Sequence, residues 1–373
     1  MPRPPSTIDR QPSESGLPAP PEVISAAIEA WFATAARDLP WRRHRTPWRA
    51  LVSELMLQQT QVARVEARFE TFLSRFPSPR AMADAGEDAV LALWEGLGYY
   101  RRARLLHAAA LQIVERHEGE VPEDVGDLLD LPGVGRYTAG SVASIALGQR
   151  EPIVDGNVAR VVARLAAIDA RADDPALISR AWSAATDLVH AAGDPGVLNE
   201  GLMELGATVC TPVNPSCERC PCREVCVARR EGLASDLPRP KSRPIRQVVH
   251  LDLMLLRSSN RLALVQRPTG GLWGGLWQPP AIESDVAPVD ADRRRLLADL
   301  GVDAAGAEFM EVARMRRLLT HREVHLRCWS WSDEVTHCSD GVVWFDHASA
   351  ASLGMAKPVR TLVETHGWGD ARA

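Results

Sequence analysis

Lysine is almost missing from this chain. Of 43 basic residues only Lys241 and Lys357 are lysines, so residues 1–240 contain none. Any mechanism that needs a lysine Schiff base in that region is excluded, and only the N-terminal amine stays as a formal alternative nucleophile. Long apolar runs are missing too. A membrane-spanning helix needs about 20 such residues, and even the short stretch Leu51–Leu57 contains Glu54. Residues 1–20 are rich in proline and serine and lack a hydrophobic signal core, which predicts a disordered tail and a cytoplasmic protein. Strand-like alternation is nearly absent before residue 230, so that span reads as all-helical.

What remains is long enough for two domains, each with its own core. The net charge of −5 argues against indiscriminate nucleic-acid binding, but it is an average. Arg37, Arg42, Arg43, Arg45 and Arg49 lie close together with Trp41 and Trp48 among them, and Arg101, Arg102 and Arg104 follow Tyr99 and Tyr100. Basic residues interleaved with aromatics suit phosphate contact and base stacking; a solvated arginine face is the plain alternative.

Helical spacing places helices at Pro21 to Arg37, Thr46 to Gln59, Val62 to Phe76, Glu87 to Glu95, Arg101 to Arg116 and Val125 to Leu129. Further helices are read at Tyr137 to Leu147, Val158 to Ile168, Pro175 to Ala191 and Pro195 to Ala207. Between two of them, Leu131-Pro132-Gly133-Val134-Gly135 reads as a tight turn. Its outward N–H groups suit a phosphate oxygen, with Gly133 and Gly135 allowing close approach. Asp155 follows, and Asp155-Gly156-Asn157 is also ordinary helix-capping chemistry.

Cys210, Cys217, Cys220 and Cys226 stand in a C-x6-C-x2-C-x5-C pattern with no histidine nearby. Four thiolates in a reducing compartment point to a metal centre, either tetrahedral zinc or an iron–sulfur cluster. Cys222, Cys328 and Cys338 read as plain small residues. Residues 236–246 carry three prolines and form a stiff linker. Beyond it, Val248–Leu256, Leu262–Val265, Val324–Trp331 and Val342–Phe345 read as strands and Asp292–Leu300 as one helix, a small α+β domain over 247–373.

In this order, Arg37-Asp38-Leu39-Pro40-Trp41-Arg42, Ser53 to Gln61, Gly96-Leu97-Gly98-Tyr99-Tyr100, the glycine turn, Asp155-Gly156-Asn157, Asn199-Glu200 and the cysteines resemble the helix-hairpin-helix DNA glycosylase superfamily. The likeness is strongest to its MutY-type adenine DNA glycosylases, which remove adenine mispaired with 8-oxoguanine or guanine. It implies a multidomain chain: an all-α helix-hairpin-helix glycosylase core with a four-cysteine loop (21–235), then an α+β Nudix-like lesion-recognition domain. It also implies a single [4Fe-4S] cluster on the four cysteines, a monomer acting on double-stranded DNA in base excision repair, and a nucleoid-associated location.

By the same resemblance Glu54 protonates the leaving adenine, Asp155 stabilises the sugar cation with Asn157 holding it, and Tyr137 stands where lyase relatives carry lysine. The enzyme is then monofunctional and leaves an abasic site. Arg37, Leu39, Trp41, Arg42 and Glu200 match the adenine pocket, and Gln59, Leu97 and Tyr99 match intercalating residues. Thr320 and His321 match the lesion-sensing loop, with Leu319 where the family has an aromatic. In the second domain, Arg293 to Leu300 lacks the acidic metal ligands of an active Nudix helix, so pyrophosphate hydrolysis is not expected. An endonuclease III-like lyase is disfavoured by Tyr137. A non-catalytic DNA-binding protein with structural zinc is the alternative from another class.

Overall fold

A computed structural model describes residues 16–241, 245–304, 306, 308–331, 335, 338 and 341–368. The expected tail falls mostly outside these, as do residues 242–244 of the linker. The chain folds as two compact units. One takes the chain up to Gln59, Glu66–Leu73 and Gln112–Ser242; the other takes Thr60–Val65, Ser74–Leu111 and the chain from Arg243 onward.

The first 230 residues hold helices α1 (Pro21–Ala35), α2 (Pro40–Arg43), α3 (Pro47–Leu57), α4 (Val62–Arg75), α5 (Pro79–Ala85), α6 (Glu87–Leu93) and α7 (Arg101–Arg116). Then come α8 (Val125–Asp130), α9 (Arg136–Ser141), α10 (Gly156–Leu165), α11 (Pro175–Ala191), α12 (Pro195–Thr208) and α13 (Val227–Arg230). Short polar side chains start many of them. Thr46, Asp124, Asp155, Asp174 and Asp194 each accept backbone N–H groups at a helix N-terminus that would otherwise lack partners. Proline in the first turn of α3, α11 and α12 supplies a preset φ where its missing N–H costs nothing.

Two sequence expectations need correction here. The helix expected to run through Leu147 leaves α geometry after Ser141 and continues as a π turn over Val142–Ala146. The helix expected from Val158 already starts at Gly156, because Asp155 caps it. In the first unit α1, α10, α11 and α12 pack round Ile24, Ile28, Val158, Val162, Leu188, Leu198 and Leu202, all fully buried. Gly201 lets α12 approach α1, where a Cβ would lie 2.8 Å from Ile28.

In the second unit the described residues of the C-terminal part carry eight strands rather than the four expected. One sheet has the order β5 (Ala281–Ser284), β1 (Gln247–Leu255), β7 (Arg322–Trp331), β6 (Phe309–Leu318). Its β1–β7 pair is parallel and its β1–β5 and β6–β7 pairs antiparallel. The other sheet has β3 (Arg261–Gln266) between β2 (Arg257–Ser258) and β4 (Trp277–Gln278), with β8 (Val343–Phe345) also on β3. Helices α14 (Asp290–Asp299), α15 (His347–Ala351) and α16 (Lys357–His366) complete it. Strand β6 has no clear sequence signature because three arginines sit in its ten residues and its partner β7 carries the apolar alternation. No helix among the described residues is long and apolar enough to cross a membrane.

Candidate active site

Helix α3 is apolar on nearly every face, and Glu54 is buried within it at 7 % exposure. Its Oε1 accepts the Ser141 hydroxyl at 2.7 Å. Burial penalises the carboxylate and pushes its pKa up to about 7, against the hydrogen bonds of Ser141 and Tyr137; the charges of Asp155 and Glu200 push further the same way. No arginine or lysine pairs with Glu54 among the described residues. Near neutral pH it is therefore an acid with a proton to give.

Asp155 is both the cap of α10 and a member of this site. Its Oδ1 accepts from Asn157 N at 2.9 Å and Val158 N at 2.7 Å, and its Oδ2 from Asn157 Nδ2 at 2.8 Å. Burial raises its pKa while these three donors oppose that rise. Tyr137, in the first turn of α9, has its hydroxyl 3.2 Å from Met203 Sδ and bonded to Glu54; burial first, then the two carboxylates, push its pKa up. The phenol stays neutral there. Arg160 donates to Asn157 Oδ1 at 2.7 Å and to Cys210 O at 2.8 Å, tying the Asp155 cap to the cysteine loop.

The glycine turn lies between α8 and α9. Gly133 has φ +81°, a conformation that favours glycine, and Val134 between the two exposed glycines is buried. A Cβ at Gly135 would meet nothing within 4 Å, so its backbone faces open space.

The first basic cluster corrects the sequence reading. Arg37 grips Glu204 through Nε at 2.6 Å and Nη2 at 2.9 Å, and Arg42 bridges Glu200 at 3.0 Å and Glu204 at 2.9 Å. Arg45 pairs with Glu200, Arg43 with Asp38 and Arg49 with Glu70. All five guanidinium groups have carboxylate partners, so the cluster is an ion-paired frame and not a bare phosphate patch. Burial raises the Glu200 pKa against Arg45 and Arg42, whereas at Glu204 Arg37 and Arg42 outweigh burial and hold it low. Leu39 is buried, and Trp41 packs edge-on against Phe69 at 5.7 Å. Glu204 and Ser141 were missed from sequence; Glu204 lies one turn after Glu200 on the same face of α12, a spacing that could have revealed it.

In the second unit Leu97 is only 3 % exposed. The side chain expected to wedge into DNA is thus a core residue of the Gly96–Gly98 bend, its carbonyl taken by Thr60 and Arg102. Tyr99 is exposed, with φ +49°, and its hydroxyl bonds to the Thr320 hydroxyl at the β6–β7 hairpin tip, beside exposed His321. In the first unit Gln59 is exposed with φ +54°. Arg102 is buried against the Leu97 and Gly98 carbonyls, and Arg104 bonds to Glu87 and the Gly274 carbonyl, so this second basic cluster is also structural in those two positions.

All four pattern cysteines are free thiols, and with Arg164 and Pro215 they line one small pocket. Arg164, 2 % exposed, donates to Cys210 Sγ at 3.3 Å and to the Thr211 and Leu237 carbonyls at 2.7 Å, and so fastens the loop to α10. Cys222 is buried in the neighbouring core.

A helical hairpin with an exposed glycine turn, beside a buried carboxyl group and a capped carboxylate, fits a base excision DNA repair protein. The HhH-GPD superfamily base excision DNA repair model matches residues 52–185, and the NUDIX domain model matches 253–365. An adenine DNA glycosylase of Mycobacterium tuberculosis is 44 % identical over 221 residues, 59 % of this chain and 72 % of that one. The human adenine DNA glycosylase is 37 % identical over 328 residues, 74 % of this chain; the chain spans 60 % of that relative's length. A thermostable thymine-DNA glycosylase structure, 26 % identical, overlays 57 % of this chain and 97 % of its own with a TM-score of 0.51. The chain belongs to the adenine DNA glycosylase family.

Proposed function

We propose that the chain is a monofunctional adenine DNA glycosylase, excising adenine opposite 8-oxoguanine or guanine and leaving an abasic site. The observation that carries this reading is Glu54: buried, without a cationic partner among the described residues, and raised to about 7 beside the capped Asp155. Glu54 gives its proton to N7 of the flipped adenine, the C1′–N9 bond breaks with its electron pair going to the base, and cationic character develops on the sugar. Asp155, held by three N–H donors, faces that cation as the anion. Water then adds at C1′ and its proton returns to Glu54. Tyr137 and the absence of lysine before Lys241 leave no side-chain amine in this domain to attack the sugar and cut the strand.

Arg37, Leu39, Trp41, Arg42 and Glu200 border the adenine pocket in this reading. Gly133 and Gly135 hold the DNA backbone, Gln59 and Tyr99 enter the stack, and Thr320 and His321 contact the opposite base. Cys210, Cys217, Cys220 and Cys226 hold a [4Fe-4S] cluster. The four thiols line one pocket and supply one thiolate per iron, the ligation a [4Fe-4S] cluster takes. A cluster bound there would brace the loop that Arg160 and Arg164 fasten to α10. Iron with acid-labile sulfide in the purified protein is the expected result; stoichiometric zinc without iron overturns it.

The deciding experiment incubates the full chain with duplexes carrying adenine opposite 8-oxoguanine, adenine opposite guanine, or thymine glycol. Adenine release from the first two, with strand scission only after alkali, is expected. Release of thymine glycol alone, or scission without alkali matching base release, overturns the proposal.

A further inference from the structure

Ser141 is the last residue of α9 and is fully buried, and its hydroxyl donates at 2.7 Å to Glu54 Oε1. The backbone around it is held from several sides. Directly after it comes the π turn Val142–Ala146, a geometry rare in helices and frequent at functional sites. Ser144, in that turn, closes its hydroxyl on Gly140 O at 2.7 Å and accepts Asn199 Nδ2 at 2.8 Å. The other Asn199 N–H goes to Glu151 O at 2.8 Å, four residues before Asp155. Gly140 lies so close to the Pro152 carbonyl that a Cβ would come within 2.5 Å of it. Ser141 is thus clamped between α12 and the approach to Asp155, with its hydroxyl aimed at one oxygen of the acid.

A hydroxyl that donates to one oxygen of a carboxyl group makes that oxygen the acceptor and leaves the proton to the other. We infer that Ser141 is a positioning residue for base excision, fixing Glu54 Oε1 as the acceptor so that Oε2 carries the transferable proton. The inference rests on the reading of Glu54 as the general acid. The groups facing Glu54 are Tyr137 from α9, Asp155 at the start of α10 and Glu200 from α12, itself paired with Arg42 and Arg45. Both carboxylates favour the neutral acid, whereas the donors Ser141 and Tyr137 favour the anion. Loss of the Ser141 donor therefore raises the Glu54 midpoint and frees the carboxyl to rotate.

The test is a titration of the full chain carrying carboxyl-labelled glutamate, followed by carbon NMR, with the Glu54 signal assigned by its loss in Glu54→Gln. In Ser141→Ala the midpoint is expected to rise by about one pH unit, and the alkaline fall of single-turnover excision to move up with it, at a lower plateau. Ser141→Cys, close in volume and a weaker donor, keeps the core filled and is expected to fall between the two, so the inference stays testable if the alanine variant does not fold. An unmoved midpoint overturns the role of Ser141, even if excision slows, because slowing alone is what a packing defect gives. Excision at the native rate by Glu54→Gln would instead overturn the acid assignment, a separate failure.

Discussion

Glu54 and Asp252 are both buried carboxylates, one in each unit, and their surroundings give them opposite characters. Asp252, in the middle of β1, is 0 % exposed and meets Arg293 through Nε at 3.1 Å and Nη2 at 2.7 Å, and Arg327 at 2.8 Å and 3.0 Å. Arg293 also lies over the Trp329 ring at 3.5 Å. This carboxylate meets guanidinium groups on two sides. Among the described residues Glu54 has hydroxyl donors and two further carboxylates around it but no cation, so burial is relieved by taking up a proton. Burial alone does not make an acid; burial without a cation does. In the second unit, α14 commits Arg293 to Asp252.

Substitutions that exchange these characters test the comparison. Glu54→Gln removes the proton donor and should lower adenine release by about 100- to 10,000-fold, measured in single turnover. A loss below tenfold would break the distinction. Asp252→Ala removes the carboxylate shared by buried Arg293 and half-buried Arg327, leaving Arg293 only its exposed partner Asp290, and should cost about 3 kcal/mol of stability in denaturant titration, while the pH dependence of excision by the remaining folded protein stays unchanged. A pH optimum that moved in this variant would mean that the two carboxylates are not independent.

The pH dependence itself follows from sign. With Glu54 as the proposed acid, working in its protonated form with a pKa raised to about 7, activity is present below that value and is lost as pH rises through it. About tenfold loss per unit above the midpoint is expected. A rate flat from pH 6 to about pH 9 would break the assignment. The smallest effect is at the cap: Asn157→Ala removes one of three donors to Asp155 and should slow excision by about tenfold, with the alkaline limb in place because Glu54 keeps its own partners.

Much of this was legible in the chain. The capping residues before α3, α8 and α11 announce those helices because a side-chain oxygen one residue ahead of a helix is a local signal. Glu54 stood out as a charge in an apolar helix, and Asp155-Gly156-Asn157 as a cap. The arginines were read less well. Arg37, Arg42 and Arg45 lie more than 150 residues before Glu200 and Glu204, and nothing local tells a solvated guanidinium from a paired one. Leu97 matched an intercalating residue by resemblance, whereas the Gly96–Gly98 bend folds it inward as a core residue. Ser141 looked like one small residue among several, since its importance lies in a single hydrogen bond to a helix 87 residues away.

The sequence by itself determined the helices, the cysteine pattern, the turn at Gly133 to Gly135 and the absence of a lysine nucleophile, because each depends on residue type or on spacing along one element. Tertiary structure alone decided the surroundings of each buried carboxyl group. They depend on which charges packing brings near a buried group: two guanidinium groups at Asp252, and at Glu54 a serine, a tyrosine and two other acids.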